Sequence, residues 1–234
     1  PTNVMGASKR CAELIVRHVA RRVAQPYVAV RFGNVLGSNG SVVPLFKEQI
    51  SNGGPVTVTH PDMKRFFMTI PEAVQLVLQA ATLGEEQEVF VLDMGKPIRI
   101  QDMARDLIEL SGLQPGEDIE VVFTGTRPGE KLYEELFTRD ETYGPTKHEK
   151  VFVAQNATHA EVSLATLRLI DELIEEAQSS NDAAIRPLLQ RIVPEYTPAE
   201  VLPPPTTLPA PAQMPPPTVN GYRPRPSNGH LLSP

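Results

Sequence analysis

The stretch GASKRCAELIVRHVARRVAQPYVAVRFGNVLGSNG, residues 6–40, decides the fold. Its first half places Ala12, Ile15, Val16 and Val19 at helical spacing. Arg17, His18, Arg21 and Arg22 gather at the end of that pattern, where positive charge complements the helix C-terminus. Pro26 stops the helix, and Tyr27 to Phe32 (YVAVRF) reads as a buried strand. Gly33 to Gly40 follows as a glycine-rich loop. A helix, a strand and then a glycine-rich loop is the opening of an α/β arrangement.

The pattern continues outward. Pro44 opens a short helix that ends at Asn52-Gly53-Gly54, and residues 55–59 read as a strand. A helix runs from Pro71 to Leu83 with proline at its first position, as helix starts prefer. Residues 88–93 form a strand, Ile100–Leu110 a helix closed by Gly112, and residues 119–123 and 151–154 further strands. Leu164–Ala177 is amphipathic, with Ser163 as its N-cap and Leu167, Ile170, Leu173, Ile174 and Ala177 largely on one face. No repeat of fixed period is visible.

Composition bounds what such a chain does. It has 234 residues, 41% of them hydrophobic, and a net charge of −6. A general nucleic-acid binder would carry a basic surplus or stripe. A single cysteine, Cys11, excludes an intramolecular disulfide framework and fits a reducing compartment. It shares a helix face with Leu14 and Ile15 and reads as a small core residue. No apolar run approaches the ~20 residues of a membrane span. His18, His60, His148 and His159 lack metal-ligand spacing, so no metal is expected.

Eleven of the 24 prolines fall in residues 201–234, a segment with no acid and only Arg223 and Arg225 as charges. Such a tail cannot bury enough apolar surface to offset its ordering entropy and is expected to be disordered. A solvated extension is favoured over a ligand for a proline-recognising domain. The first residue is Pro1 and a strong helix begins at once, so the chain is expected to be part of a longer protein.

Three polar clusters carry the chemistry: Met5 to Lys9, Arg31 to Val43 and Gly125 to Glu135, with Thr59 to Thr69 as a fourth wall. A glycine-rich loop after a strand lets a ligand approach the backbone, and Asn34 and Ser38 add neutral donors and acceptors. Arg31, Arg65 and Arg127 are planar, permanently charged groups suited to phosphate oxygens. Surface arginines paired with carboxylates are the commoner case. The glycines at 33, 37 and 40 do not form G-x-G-x-x-G, and GTRPGEK is not a P-loop.

The segments PTNVMGASKRCAE, RFGNVLGSNGSVVPLFKEQI, THPDMKRFFMTIPEAVQLVLQA, VFVLDMGKPIRIQDMARDLI and TGTRPGEKLYEELF resemble, in order, the C-terminal half of CapD-like polysaccharide biosynthesis proteins. These are nucleotide-sugar 4,6-dehydratases of the extended short-chain dehydrogenase/reductase superfamily. The resemblance covers about residues 1–155. It implies the closing part of a Rossmann-type α/β fold with a small α/β substrate domain over 1–155. A helical extension over 156–200 and the proline-rich tail would follow.

It also implies roles. The superfamily carries a Tyr-x-x-x-Lys pair beside the nicotinamide, and Met5 and Lys9 match it, one helical turn apart. Lys9 would hold the nicotinamide ribose. Met5 departs from the tyrosine and resembles the long, membrane-attached members, since a thioether cannot shuttle a proton; it could equally be a packed apolar residue. Val35 would lie near the carboxamide. Asn34, Ser38, Ser41, Val42, Arg65, Arg127 and Glu130 would contact the UDP-sugar, Arg127 and Glu130 at the phosphates and the uridine ribose. His60 lies beside that wall.

The reaction so implied converts UDP-N-acetylglucosamine to a 4-keto-6-deoxy sugar. C4 is oxidised, water is lost across C5 and C6, and hydride returns to C6. NAD (or NADP) would be bound mainly by an upstream part, which would also hold the acid/base residues and membrane helices. The whole protein would be a homo-oligomer at the cytoplasmic face of a bacterial inner membrane. A UDP-sugar 4-epimerase of the same superfamily, or a non-catalytic nucleotide-sugar-binding module, are the alternatives. This chain alone is expected not to turn over substrate.

Overall fold

A computed structural model of the chain describes residues 1–136, 141–155 and 162–199. The expected disorder of residues 201–234 concerns residues outside this set.

Helix α1 (Val4–Val23) begins at Asn3, whose side-chain oxygen accepts from the Gly6 N–H, and ends on Ala24 in the left-handed region. Strand β1 (Ala29–Arg31) follows. It is shorter than the sequence pattern because Tyr27 donates into a turn with Gln25 and stays half exposed. The loop after it is not wholly irregular: Asn34–Val35 forms a short strand β2. Helix α2 (Val42–Ser51) starts two residues before Pro44, with Ser41 as N-cap. Strands β3 (Val56–Val58), β4 (Lys64–Arg65) and β5 (Phe67–Met68) lead to helix α3 (Ile70–Leu83). Thr69 caps α3 by accepting from the Glu72 N–H, and Pro71 sits in the first turn, where its missing N–H costs nothing.

Strands β6 (Val89–Leu92) and β7 (Ile98–Arg99), helix α4 (Ile100–Leu110) and strands β8 (Val121–Phe123), β9 (Thr142–Pro145) and β10 (Val151–Gln155) come next. Helices α5 (Leu164–Gln178) and α6 (Asp182–Ile192) complete the described chain. Ser163 caps α5 as its sequence indicates, accepting from the Thr166 N–H. Strand β9 and helix α6 are not apparent from periodicity.

The main sheet has the order β1-β6-β10-β9. β1 and β6 are parallel, with Val30 opposite Phe90, and β10 runs antiparallel to β6. All four residues of β6 are buried, as a strand covered on both faces requires. One face packs Phe90 and Leu92 against Ala73, Leu76 and Ala80 of α3; the other carries Val89, Val91 and Ala154. A second core joins Phe46 and Ile50 of α2, Val56 and Val58 of β3 and Ala104 and Ile108 of α4, under the parallel pair β3–β8. The third core sets Ala7 and Cys11 of α1 against Ile170, Leu189, Ile192 and Tyr196, so α5 and α6 brace the helix that carries Met5 and Lys9. No helix is long and apolar enough to cross a membrane among the described residues.

Candidate nucleotide-sugar site

Hydrogen bonds to main-chain carbonyls tie the four polar segments together. The Gly129 carbonyl accepts from Thr2 Oγ1 at 2.9 Å and Asn3 Nδ2 at 3.1 Å, docking the RPGEK turn on the start of α1. Asn34 N–H donates to the Phe66 carbonyl at 3.0 Å and Leu36 N–H to Met68 at 2.9 Å, so β2 lies parallel to β5. Lys64 N–H donates to the Leu132 carbonyl at 2.9 Å. Residues from positions 2 to 132 thereby share one neighbourhood.

Met5 and Lys9 stand on the first turns of α1 with exposed side chains, Met5 at 63%. Met5 is therefore not a packed core residue in this chain. Asn34 and Val35 are half-buried in β2. Ser38 donates twice to the Val35 carbonyl, through its N–H at 3.3 Å and its hydroxyl at 2.8 Å, and accepts at its own carbonyl from Ser41 N–H. These bonds bring the chain to the start of α2. Ser41 Oγ is buried with no hydrogen-bond partner among the described residues, and the first turn of α2, beginning at Val42, has no acid. Free N–H groups there suit an anion.

The three arginines separate sharply. Arg31 is held by two acids: its Nε and Nη2 donate to Glu13 at 2.5 and 2.8 Å, and Nη1 donates to Glu141 at 2.7 Å. Burial disfavours the charge on Arg31, but the two carboxylates more than compensate and hold its pKa above the ordinary value. The sequence placed Arg31 among the phosphate-binding candidates; the structure gives it a framework role. Arg65 is shared, 3.7 Å from Glu130 and 3.5 Å from Glu134, with Nη1 donating to the Lys64 and Leu132 carbonyls. Among the described residues the exposed Arg127 guanidinium has no side-chain partner; only its N–H is used, donating to Glu130 Oε2 at 3.0 Å. Glu130 also accepts from Thr59 Oγ1 at 3.3 Å, so it folds the turn that displays Arg127.

Sequence reasoning gave no individual role to Thr2, Asn3, Thr59 or Glu134, although the last two lie in its polar clusters. The first three act across contacts that no local pattern records. The arrangement offers exposed cations at Lys9 and Arg127, a helix start without acids, and neutral groups on Asn34 and Ser38. That set fits an anionic ligand rich in hydroxyls.

Known proteins agree with this reading of the fold. Residues 1–156 match the family described as polysaccharide biosynthesis protein. The capsular polysaccharide biosynthesis protein CapD of Staphylococcus aureus is 54% identical over 179 residues, covering 75% of this chain and 30% of that protein. A UDP-glucose 4-epimerase of Rickettsia akari is 38% identical over 144 residues, covering 60% of this chain and 41% of its own. The X-ray structure of Pen from Bacillus thuringiensis superimposes with a TM-score of 0.57 at 33% identity, over 69% of this chain and 50% of Pen. The chain thus spans under half the length of either curated relative. It belongs to the polysaccharide biosynthesis protein family.

Proposed function

We propose that this chain supplies the sugar-nucleotide side of an NAD-dependent 4,6-dehydratase acting on UDP-N-acetylglucosamine in polysaccharide biosynthesis. The observation that carries the reading is the contrast among the arginines. Arg31 and Arg65 are neutralised within the fold, whereas among the described residues Arg127 is unpaired, on a turn docked against the helix of Met5 and Lys9. A cation left without a partner on a braced turn is what a diphosphate would use.

In this reading Arg127 binds the diphosphate with the start of α2 at Ser41 and Val42. Asn34 and Ser38 hold the sugar or phosphate, and Glu130 and Arg65 shape the wall. The donor set also fits a nicotinamide ribose: the Lys9 ammonium is exposed on α1, and the backbone of Val35 lies in β2. Bound NAD would supply reversible hydride transfer. Within this chain Lys9 fixes ribose hydroxyls and adds positive charge, while Met5 occupies the tyrosine position without moving a proton. In this reading the pyrophosphate of NAD, the elimination acid and base and the membrane attachment are carried by a longer protein, which assembles as a homo-oligomer.

The test is product identity. The complete protein, incubated with UDP-N-acetylglucosamine, is expected to release a 4-keto-6-deoxy sugar nucleotide, read by NMR. The second reading is a UDP-sugar 4-epimerase, favoured by the relative of that name, and it would give the C4 epimer with no loss of water. Turnover by residues 1–234 alone would show that the catalytic parts lie elsewhere than proposed.

A further inference from the structure

After α6 the chain turns back along α1 and reaches its start. Pro194 sits in a tight turn in which Tyr196 N–H donates to the Val193 carbonyl at 2.9 Å, and Pro198 keeps Thr197 out of helical conformation. Glu195 accepts from Arg10 Nε at 3.0 Å. Tyr196 is buried in the cluster that contains Ala7 and Cys11. Thr197 N–H then donates to the Pro1 carbonyl at 3.0 Å and Ala199 N–H to the Thr2 carbonyl at 3.2 Å. Pro198, which has no N–H, falls between these two donors, so neither bond is lost to it.

Residues 1–3 belong to no helix or strand, and their main-chain groups need partners from elsewhere. The carbonyls of Pro1 and Thr2 find them on the 197–199 segment, while the side chains of Thr2 and Asn3 donate to the Gly129 carbonyl. The Thr2 carbonyl oxygen that accepts from Ala199 is also the atom that a Cβ on Gly129 would meet at 2.7 Å. Thr2 therefore lies between the C-terminal segment and the turn that displays Arg127. Packing alone does not require this reach, because Tyr196 already completes the buried cluster on α1. The segment also lies beyond residues 1–156, which the family model covers.

We propose that residues 197–199 are a positioning strap for the sugar-nucleotide site. By bonding the carbonyls of Pro1 and Thr2 they set where the RPGEK turn presents Arg127 to a diphosphate. This rests on the reading of Arg127 as a diphosphate ligand. The strap acts through Thr2, Asn3 and Gly129 rather than on the ligand itself.

Ala199→Pro in the complete protein deletes one donor of the strap, and Ala199→Ser changes the side chain while keeping the N–H. UDP affinity, read by calorimetry, should fall about tenfold in Ala199→Pro and return in Ala199→Ser, with NAD affinity unchanged. Coupling separates positioning from stability. In an Arg127→Ala background Ala199→Pro should cost no further UDP affinity, because the group it positions is gone. No loss in Ala199→Pro, additive losses in the double variant, or equal losses for UDP and NAD overturn the proposal. The wild type gives a second test, since coupling between binding and the strap is reciprocal: saturating UDP should slow hydrogen exchange in a peptide covering 195–199. Unchanged exchange there, with residues 125–131 protected, overturns the proposal even if Ala199→Pro does not fold. If UDP does not bind, or Arg127→Ala binds it normally, the reading of the site fails instead. The strap is then judged by exchange of residues 125–131 without ligand, which Ala199→Pro should speed and Ala199→Ser should not; equal exchange in both overturns it.

Discussion

The carbonyl of Gly129 accepts a hydrogen bond from the Asn3 side chain across 126 positions of sequence. The same Asn3 caps α1 through the Gly6 N–H, so one residue fixes both the RPGEK turn and the helix of Met5 and Lys9. Gly129 has φ of +77°, and a Cβ there would lie 2.7 Å from the Thr2 carbonyl oxygen. Gly129→Ala should thus combine backbone strain of about 1–3 kcal/mol with loss of docking. Thermal melting should show the destabilisation, and UDP titration should show weaker binding. A variant that melts like the wild type and binds UDP equally would disconnect the turn from the site.

Arg127→Ala should behave in the opposite way. Among the described residues its guanidinium has no side-chain partner to lose, so the melting temperature should hold. Removing a charge-assisted phosphate contact should cost about 1.5–3 kcal/mol of UDP-sugar affinity in the complete protein, with NAD affinity little changed. Equal losses for both ligands would indicate a folding defect, and no loss would remove Arg127 from the site.

Arg31→Ala should be a folding variant. It would remove the guanidinium shared by Glu13 and Glu141, Glu13 keeping Arg10, a change that costs about 3–5 kcal/mol when one partner of a buried pair is deleted. The pH dependence separates this from simple loss of packing. Burial raises the Glu13 pKa, but Arg31 and Arg10 together bring it below the ordinary value. A depressed carboxylate contributes stability that is present above its unfolded pKa and lost as pH falls through the folded one. The wild type should therefore weaken as pH falls below the ordinary carboxylate range. In Arg31→Ala the Glu13 carboxylate would accept a proton more readily, and the stability gap to wild type should narrow with acid. A constant gap in denaturant titrations across pH would show that charge is not the cause.

The difference between Arg31 and Arg127 also marks the limit of what the sequence discloses. Local signals were readable: the helical spacing in α1, the Ser163 cap of α5 and the proline start of α3. Helix α6 was hidden because Pro187 interrupts an otherwise helical set of Ile185, Leu188, Leu189 and Ile192. Strand β9, TYGP, carries the glycine and proline of a turn, yet pairs at the sheet edge. The partners of Arg31 lie 18 and 110 positions away, and no spacing rule separates a neutralised arginine from a free one. The RFGNV, MKRFF and RPGEK segments could be selected as polar clusters, but their meeting depends on pairings such as Asn34 with Phe67.

Met5 and Lys9 give the sharpest test. Met5 is exposed, so Met5→Leu, which keeps volume and apolar character, should cost well under about 1.5 kcal/mol of stability. If the thioether transfers no proton, this variant of the complete protein should also keep most of its activity. Lys9→Ala should reduce turnover by a large factor, because it removes the ammonium proposed to hold the ribose. Lys9→Arg should rescue poorly, since a planar guanidinium does not replace a compact ammonium. The two partial reactions should be followed separately, hydride transfer by the nicotinamide spectrum and water loss by solvent isotope incorporation. A passive methionine predicts that Met5→Leu leaves both steps nearly intact, whereas Lys9→Ala impairs hydride transfer first. A folded Met5→Leu protein as impaired as Lys9→Ala would give the methionine an active part. A wild type silent in both assays would instead identify a binding module in which the tyrosine position has lost its chemistry.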